Sequence, residues 1–215
     1  MQKTFGSKKD KVKLSRLGVQ LPGKVNKKSY GKVILGFMSN LEAKKGIPYL
    51  MDAFKNLNDN HPGKFELWIA GSGDDMDFII NFVTENNLSE EVKILGRIRD
   101  EKKIEFYSDI DLFVLPSIRV PHDMDGIPVV LMESISYGKP IISTDVSGIP
   151  EICINNYVGK LIQEKNVEEI VKAVEELSFN EKLKEDLGNN SLDFAAKEYD
   201  LEKNSERKLQ MMNWI

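Results

Sequence analysis

Short apolar, β-branched runs alternate along this chain with segments whose apolar residues recur at helical spacing. Lys32 to Met38, Phe65 to Ala70, Val92 to Leu95, Asp111 to Leu115, Pro140 to Thr144 and Gly159 to Ile162 read as six strands. Between the first two, Ile47, Leu50, Met51, Phe54 and Leu57 follow the helical period behind Pro48, and between the next two Phe78, Ile79, Phe82 and Val83 do the same. The alternation of these strands with helices predicts an α/β fold with a doubly wound, parallel six-stranded sheet. In such sheets ligands bind beyond the carboxyl ends of the strands. After Ile162 the pattern changes to three polar helices, with Asn166, Asn180 and Asp200 as N-caps and Glu169 completing a capping box with Asn166. These helices are expected to form a cover and not a site.

The chemistry concentrates between Asp125 and Pro140, DGIPVVLMESISYGKP. Pro128 has a fixed φ and no N–H, which suits the first position of a helix, and Gly126 lets the backbone approach a ligand closely. Val129, Val130, Leu131, Met132 and Ile135 form an apolar run that Glu133 interrupts and Gly138 terminates. The N–H groups of Ile127, Val129 and Val130 are then expected at the positive end of the helix, where a phosphate or a sugar hydroxyl is favoured. On one continuous helix Asp125 and Glu133 would lie roughly 12 Å apart along the axis and about 80° apart around it. That is too far for the paired carboxylates of a hydrolase, which sit about 5 to 9.5 Å apart. Two readings stay open at this point: the acids touch different parts of one extended ligand, or Asp125 caps the helix while Glu133 faces solvent.

Composition narrows the class. The chain has 215 residues and is 41% hydrophobic, enough for a sizeable core. No apolar run approaches the roughly 18 residues of a membrane span, and MQKTFGSKKDK has no apolar centre for a secretion signal, so a cytoplasmic location is expected. The lone Cys153 is read as a small core residue. Residues 1–32 hold ten Lys and Arg against one acid, Asp10, leaving twenty against thirty-three of the total 30 and 34. This basic leader can rest on anionic lipid headgroups or simply stand solvated. Nucleic acid is not expected as a partner, because no aromatic residues interleave with the basic ones. With two histidines, His61 and His122, and no matching Cys or Asp spacing, no metal centre is expected either. His122 is read as a structural loop residue.

Three further loops follow predicted strands. MSNLEAKKGIP contains Lys45 beside Gly46 at a strand-helix turn, where a flexible ammonium can meet a phosphate; a solvated helix start is the competing reading. Gly71-Ser72-Gly73 lacks the third glycine and the first-strand position of a dinucleotide fingerprint, so it reads as a tight turn lining the cleft. The same absence after the first strand argues against an NAD-dependent oxidoreductase. Gly96-Arg97-Ile98-Arg99 follows the third strand, as site residues or as surface arginines.

The segment from His122 to Ile152 resembles the acid-x7-acid motif of retaining glycosyltransferases of the GT-B fold, family 4, in the form seen in capsule and exopolysaccharide transferases. Asp125 stands where Glu is usual, and GKPIISTDVSGIPEI, from Gly138 to Ile152, matches the family's continuation. The first-strand loop is similar to the family's diphosphate-gripping loop; Lys45 and Gly46 match, while Asn40 stands where Arg is usual and Lys44 is the candidate substitute. The resemblance implies a Rossmann-like half over residues 31–165 that binds a nucleotide-diphosphate sugar, a UDP-sugar by preference, with helices 166–215 packed on it and a leader and hinge over 1–30. It implies that Glu133 accepts from the ribose hydroxyls, that Asp125 accepts from hydroxyls of the transferred sugar, and that Lys45 with the amides of Gly126, Ile127, Val129 and Val130 around Pro128 stabilises the leaving diphosphate. Gly71 lines the cleft, and Arg97 and Ile98 meet the base. No cofactor or metal is implied. Lys11 to Gly23 resembles the hinge that leaves an N-terminal acceptor domain, so a glycan or lipid-linked acceptor would be held by a half missing from this chain. The basic leader, where it rests on lipid, would put the place of work at the inner membrane face. An alternative is a nucleotide-sugar-binding module, inactive until another chain completes it.

Overall fold

A computed structural model describes residues 14–23 and 28–212. The basic leader, the first residues of the expected hinge and the 24–27 segment lie outside these. The six strands are β1 (Val33–Met38), β2 (Phe65–Ala70), β3 (Val92–Gly96), β4 (Leu112–Leu115), β5 (Ile141–Thr144) and β6 (Gly159–Ile162). They pair in parallel in the order β3-β2-β1-β4-β5-β6, with Val33 opposite Phe65, Leu35 opposite Leu112 and Ile141 opposite Gly159. All residues of β1, β2, β4 and β5 are buried, as strands covered on both faces require. Lys32, Asp111 and Pro140 fall just before their strands. Pro140 has no N–H to donate to the ladder, but its carbonyl accepts from Phe113 at 3.0 Å.

The helices are α1 (Ile47–Asn60), α2 (Met76–Glu85), α3 (Asp100–Asp109), α4 (Val129–Ser136), α5 (Val167–Phe179), α6 (Glu181–Glu198) and α7 (Leu201–Met212). In α1 the residues at helical spacing, Ile47, Leu50, Met51, Phe54 and Leu57, are buried, together with Ala53. The three C-terminal helices start at their expected caps: Asn166 Oδ1 accepts from Glu169 N at 3.1 Å, Asn180 Oδ1 from Leu183 N at 3.0 Å, and Asp200 Oδ1 from Glu202 N at 3.0 Å. The Glu169 side chain reaches back to the Asn166 side-chain amide, at 2.9 Å. The periodicity did not announce α3. Its segment is mostly charged, and its buried apolar residues, Phe106 and Tyr107, are adjacent instead of three or four apart.

This order reverses direction between β1 and β4. This switch point, at the carboxyl ends of β1 and β4, is the place where ligands bind in open α/β sheets. The segment from Gly18 to Gly23 reaches the same end of the molecule, held by Val19 N donating to Tyr199 O at 2.7 Å and Leu201 N donating to Val19 O at 3.1 Å. Among the described residues no helix is long and apolar enough to cross a membrane.

Candidate functional site

The loop after β1 turns through a single 3-10 turn, Ala43–Lys45, and then through Gly46 at φ 67° into α1. A Cβ on Gly46 would stand 1.9 Å from the carbonyl oxygen of Pro116, the residue after β4. Glycine is therefore what lets the β1 and β4 loops touch, and Ile118 N donating to Lys44 O at 2.8 Å joins them. The contact delivers Lys45 to Asp125. Lys45 Nζ lies 2.6 Å from Asp125 Oδ1, with the two side chains 10% and 8% exposed. Ser117 Oγ donates to the other oxygen, Asp125 Oδ2, at 2.6 Å. Beside them Lys44 Nζ is engaged by Asp123 Oδ2 at 2.9 Å and Glu42 at 3.6 Å, so its charge is already matched. The hydrogen bond to Asp123 is the main reason the Lys44 ammonium titrates above its ordinary range. His122 sits exposed in the turn closed by Val120 and Asp123, at φ 65°.

Beyond Asp125 the exposed Gly126 leads through Ile127 to Pro128, which is the N-cap and not the first helical residue as the sequence pattern predicts. Its ψ of 130° is extended, and its carbonyl accepts the first turn's bond from Leu131 N at 3.1 Å. α4 thus starts one residue later, with its first amides unpaired within the helix. The two acids do not share a helix: Asp125 precedes α4 and Glu133 lies in its second turn.

Glu133 is 18% exposed at its side chain and held on both oxygens. Lys103 Nζ lies 2.5 Å from Oε1, and Tyr107 OH donates to Oε2 at 3.0 Å. Tyr107 is fully buried and stacks on Tyr137 with ring centroids 5.2 Å apart. Burial first, and then the Glu133 charge, push its phenol well above the ordinary range, so it stays a protonated donor. A cavity of about 730 Å3 opens beside Glu133, lined also by Lys103, Tyr107, Val129 and the Gly18 to Gly23 segment. A second cleft of about 330 Å3 is lined by Asn40, Gly71, Arg97, Ile98 and Val130, where the β1, β2 and β3 loops meet the first turn of α4. Gly71, at φ 142°, is pressed against the β1 loop: a Cβ there would fall 1.8 Å from Ser39 O. Arg97 Nε donates to Ser72 Oγ at 2.5 Å.

The residues singled out in the sequence therefore gather at the carboxyl end of the sheet in three groups: the Lys45–Asp125 pair, the Glu133 cavity and the Asn40–Arg97 cleft. Asp125 and Lys45 line neither cavity; in this conformation they face each other. Lys103, Tyr107 and Ser117 escaped the sequence reading. The first two lie four apart on α3, a spacing that would have placed them on one helix face had the helix been seen. Cys153 is a fully buried core residue whose thiol burial pushes up to about 12. Among the described residues no three His, Cys, Asp or Glu side chains converge to hold a metal ion.

The family model described as glycosyl transferases group 1 matches residues 23–194. The chain belongs to this family. A relative, the amylovoran biosynthesis glycosyltransferase AmsK of Erwinia amylovora, is 30% identical over 182 residues, 82% of this chain and 44% of that protein. Among solved structures, Staphylococcus aureus TarM, crystallised with UDP, superposes with a TM-score of 0.81 at 20% identity, covering 99% of this chain and 41% of that one. The C-terminal domain of a group 1 glycosyl transferase (LpcC) from Francisella tularensis gives 0.69 at 21% identity over 80% of this chain and 88% of that domain. The fold is that of GT-B enzymes, and the chain spans about two fifths of the length of the curated relatives it matches.

Proposed function

We propose that this chain is the donor-binding half of a retaining glycosyltransferase, taking a nucleotide-diphosphate sugar of the UDP class for transfer to a glycan or lipid-linked acceptor. The observation that carries this reading is the meeting of two acids, a lysine and the first amides of α4 at the switch point between β1 and β4. In this reading the base lies in the Arg97–Ile98 cleft, and Glu133, already oriented by Tyr107, accepts from the ribose hydroxyls. The diphosphate meets Lys45 and the amides at Gly126 to Val130, and Asp125 accepts from hydroxyls of the transferred sugar. Negative charge grows on the leaving diphosphate as the sugar departs, so fixed donors at Lys45 and the α4 N-terminus favour the transition state over the bound donor. The step uses neither a protein nucleophile nor a metal. The acceptor hydroxyl must be held near the reacting carbon, a task for an acceptor-binding half. We place the work in the cytoplasm at the inner membrane face, with the basic leader as a lipid contact.

A second reading keeps the same donor site: a nucleotide-sugar-binding module that turns over only when another domain supplies the acceptor. Calorimetry with UDP tests the shared core of both readings. Glu133→Ala is expected to weaken UDP and uridine alike, and Lys45→Ala to weaken UDP more than uridine; unchanged affinities in both variants would refute the site. Sugar release from UDP-glucose by the isolated chain would reject the module reading.

A further inference from the structure

The donor-binding reading assigns no task to Ser117, yet this residue is completely buried at the end of β4 and is committed on every side. Its N–H donates to Leu115 O at 3.0 Å, its carbonyl accepts from Thr144 Oγ1 at 2.5 Å, and its hydroxyl donates to Asp125 Oδ2 at 2.6 Å. Ser143 Oγ in turn donates to Leu115 O at 2.6 Å. A continuous line of hydrogen bonds thus runs from the end of β5, through the end of β4, to the Asp125 carboxylate and across it to Lys45 on the β1 loop.

The stereochemistry of this line matters. A carboxylate bound only by an ammonium is free to turn about its last torsion, which has broad, two-fold wells. With Lys45 on one oxygen and Ser117 on the other, that rotation is fixed. An ammonium has three protons and a carboxylate about four acceptor directions, so two protons of Lys45 and two directions on Asp125 remain for a ligand while the pair stays closed. We propose that Ser117 is a positioning residue: it locks the Asp125 carboxylate against Lys45, so that one buried ion pair spans two subsites, the ammonium facing the diphosphate and the carboxylate facing the sugar. This rests on the donor-binding reading and deepens it. Ser117 touches neither ligand, and its loss should be felt at the sugar and not at the diphosphate, because Lys45 keeps its partner while the carboxylate loses its orientation.

The experiment is calorimetry on this chain with UDP, UDP-glucose and UDP-N-acetylglucosamine, for the wild type, Ser117→Ala and Ser117→Cys, with thermal unfolding run alongside. Alanine fits the space of the serine and supplies no donor, and cysteine, slightly larger, supplies only a weak one. The expected result is UDP affinity within about twofold of wild type, with the advantage of the preferred nucleotide sugar over UDP reduced about tenfold, the loss of one well-made hydrogen bond. Equal weakening of UDP and nucleotide sugars would make Ser117 a plain structural brace and overturn the proposal, as would no change in any of them. A wild type that binds UDP but gains nothing from either hexosyl group overturns it as well, leaving the nucleotide site standing. A wild type that binds none of the three overturns the donor-binding reading and this proposal with it.

Discussion

Neutralising one member of the Lys45–Asp125 pair should unfold the chain far more readily than neutralising both. The pair is closed at 2.6 Å with each side chain about nine-tenths buried. Removing one partner strands the other charge in a poorly solvated place, at a cost of about 3–5 kcal/mol. For a chain of this size each kcal/mol lowers Tm by about 2–4 °C, so Lys45→Met and Asp125→Asn should each melt roughly 6–20 °C below wild type. The double variant carries no charge at all and keeps an Asn oxygen for the Ser117 hydroxyl, so it should return to within about 1–2 kcal/mol of wild type. Urea unfolding of the four proteins, analysed as a double-mutant cycle, measures the coupling. Two singles that each cost less than about 1 kcal/mol, with a double equal to their sum, would show a pair bathed in water. The description of the site as a buried, shared ion pair would then be wrong.

Three further perturbations test neighbouring parts of the argument. Gly46→Ala places a methyl 1.9 Å from Pro116 O at φ 67°; a loss of about 2 kcal/mol or more is expected in urea unfolding, from the left-handed backbone and the displaced β4 loop. Tyr107→Phe removes the donor to Glu133 Oε2 without altering the stacked ring; UDP affinity should fall about fivefold while stability drops by about 1 kcal/mol, and an unchanged affinity would mean that Glu133 needs no orientation. On β2, beside the edge strand β3, burial alone would raise the Glu66 carboxyl, but Lys93 at 2.5 Å and Trp68 Nε1 at 2.5 Å hold it below its ordinary value. Because its folded value lies below the unfolded one, its contribution is present above about pH 4.3 and is lost as pH falls through the folded value. Glu66→Gln should flatten the acid limb of stability measured between pH 3 and 5, and an identical slope would refute the assignment.

What could be read in the sequence follows how local the cause is. The strands were legible because β1, β2, β4 and β5 are buried on both faces and so are mainly apolar, with Glu66, Ser143 and Thr144 as polar exceptions. The C-terminal helices were legible because Asn166, Asn180 and Asp200 cap within three residues of themselves. α3 was hidden because it is held by its neighbours: Phe106 and Tyr107 enter the core side by side, and the remaining residues are mainly charged. Pro128 shows the same limit at the scale of one residue. Its φ suits a helix start, but the extended ψ that makes it the cap is set by the chain arriving from Asp125.

The site divides along the same line. Lys45 and Asp125 could be picked out one at a time, each beside a glycine at a loop, but nothing within either loop says that they bind each other; they are eighty residues apart. Their meeting depends on Gly46 letting the β1 loop close onto Pro116, a contact between two strands made adjacent by the reversal of sheet order. Ser117 and Tyr107 are further removed still: a serine after a proline and a tyrosine in a charged stretch carry no signal until the acids they bind are in place. Residues that would meet the ligand were visible as types in motifs, whereas residues that aim them are visible only as distances. A search for function in such a chain therefore gains most from asking what holds each acid, since a carboxylate fixed on both oxygens, as Asp125 and Glu133 both are, is oriented toward something.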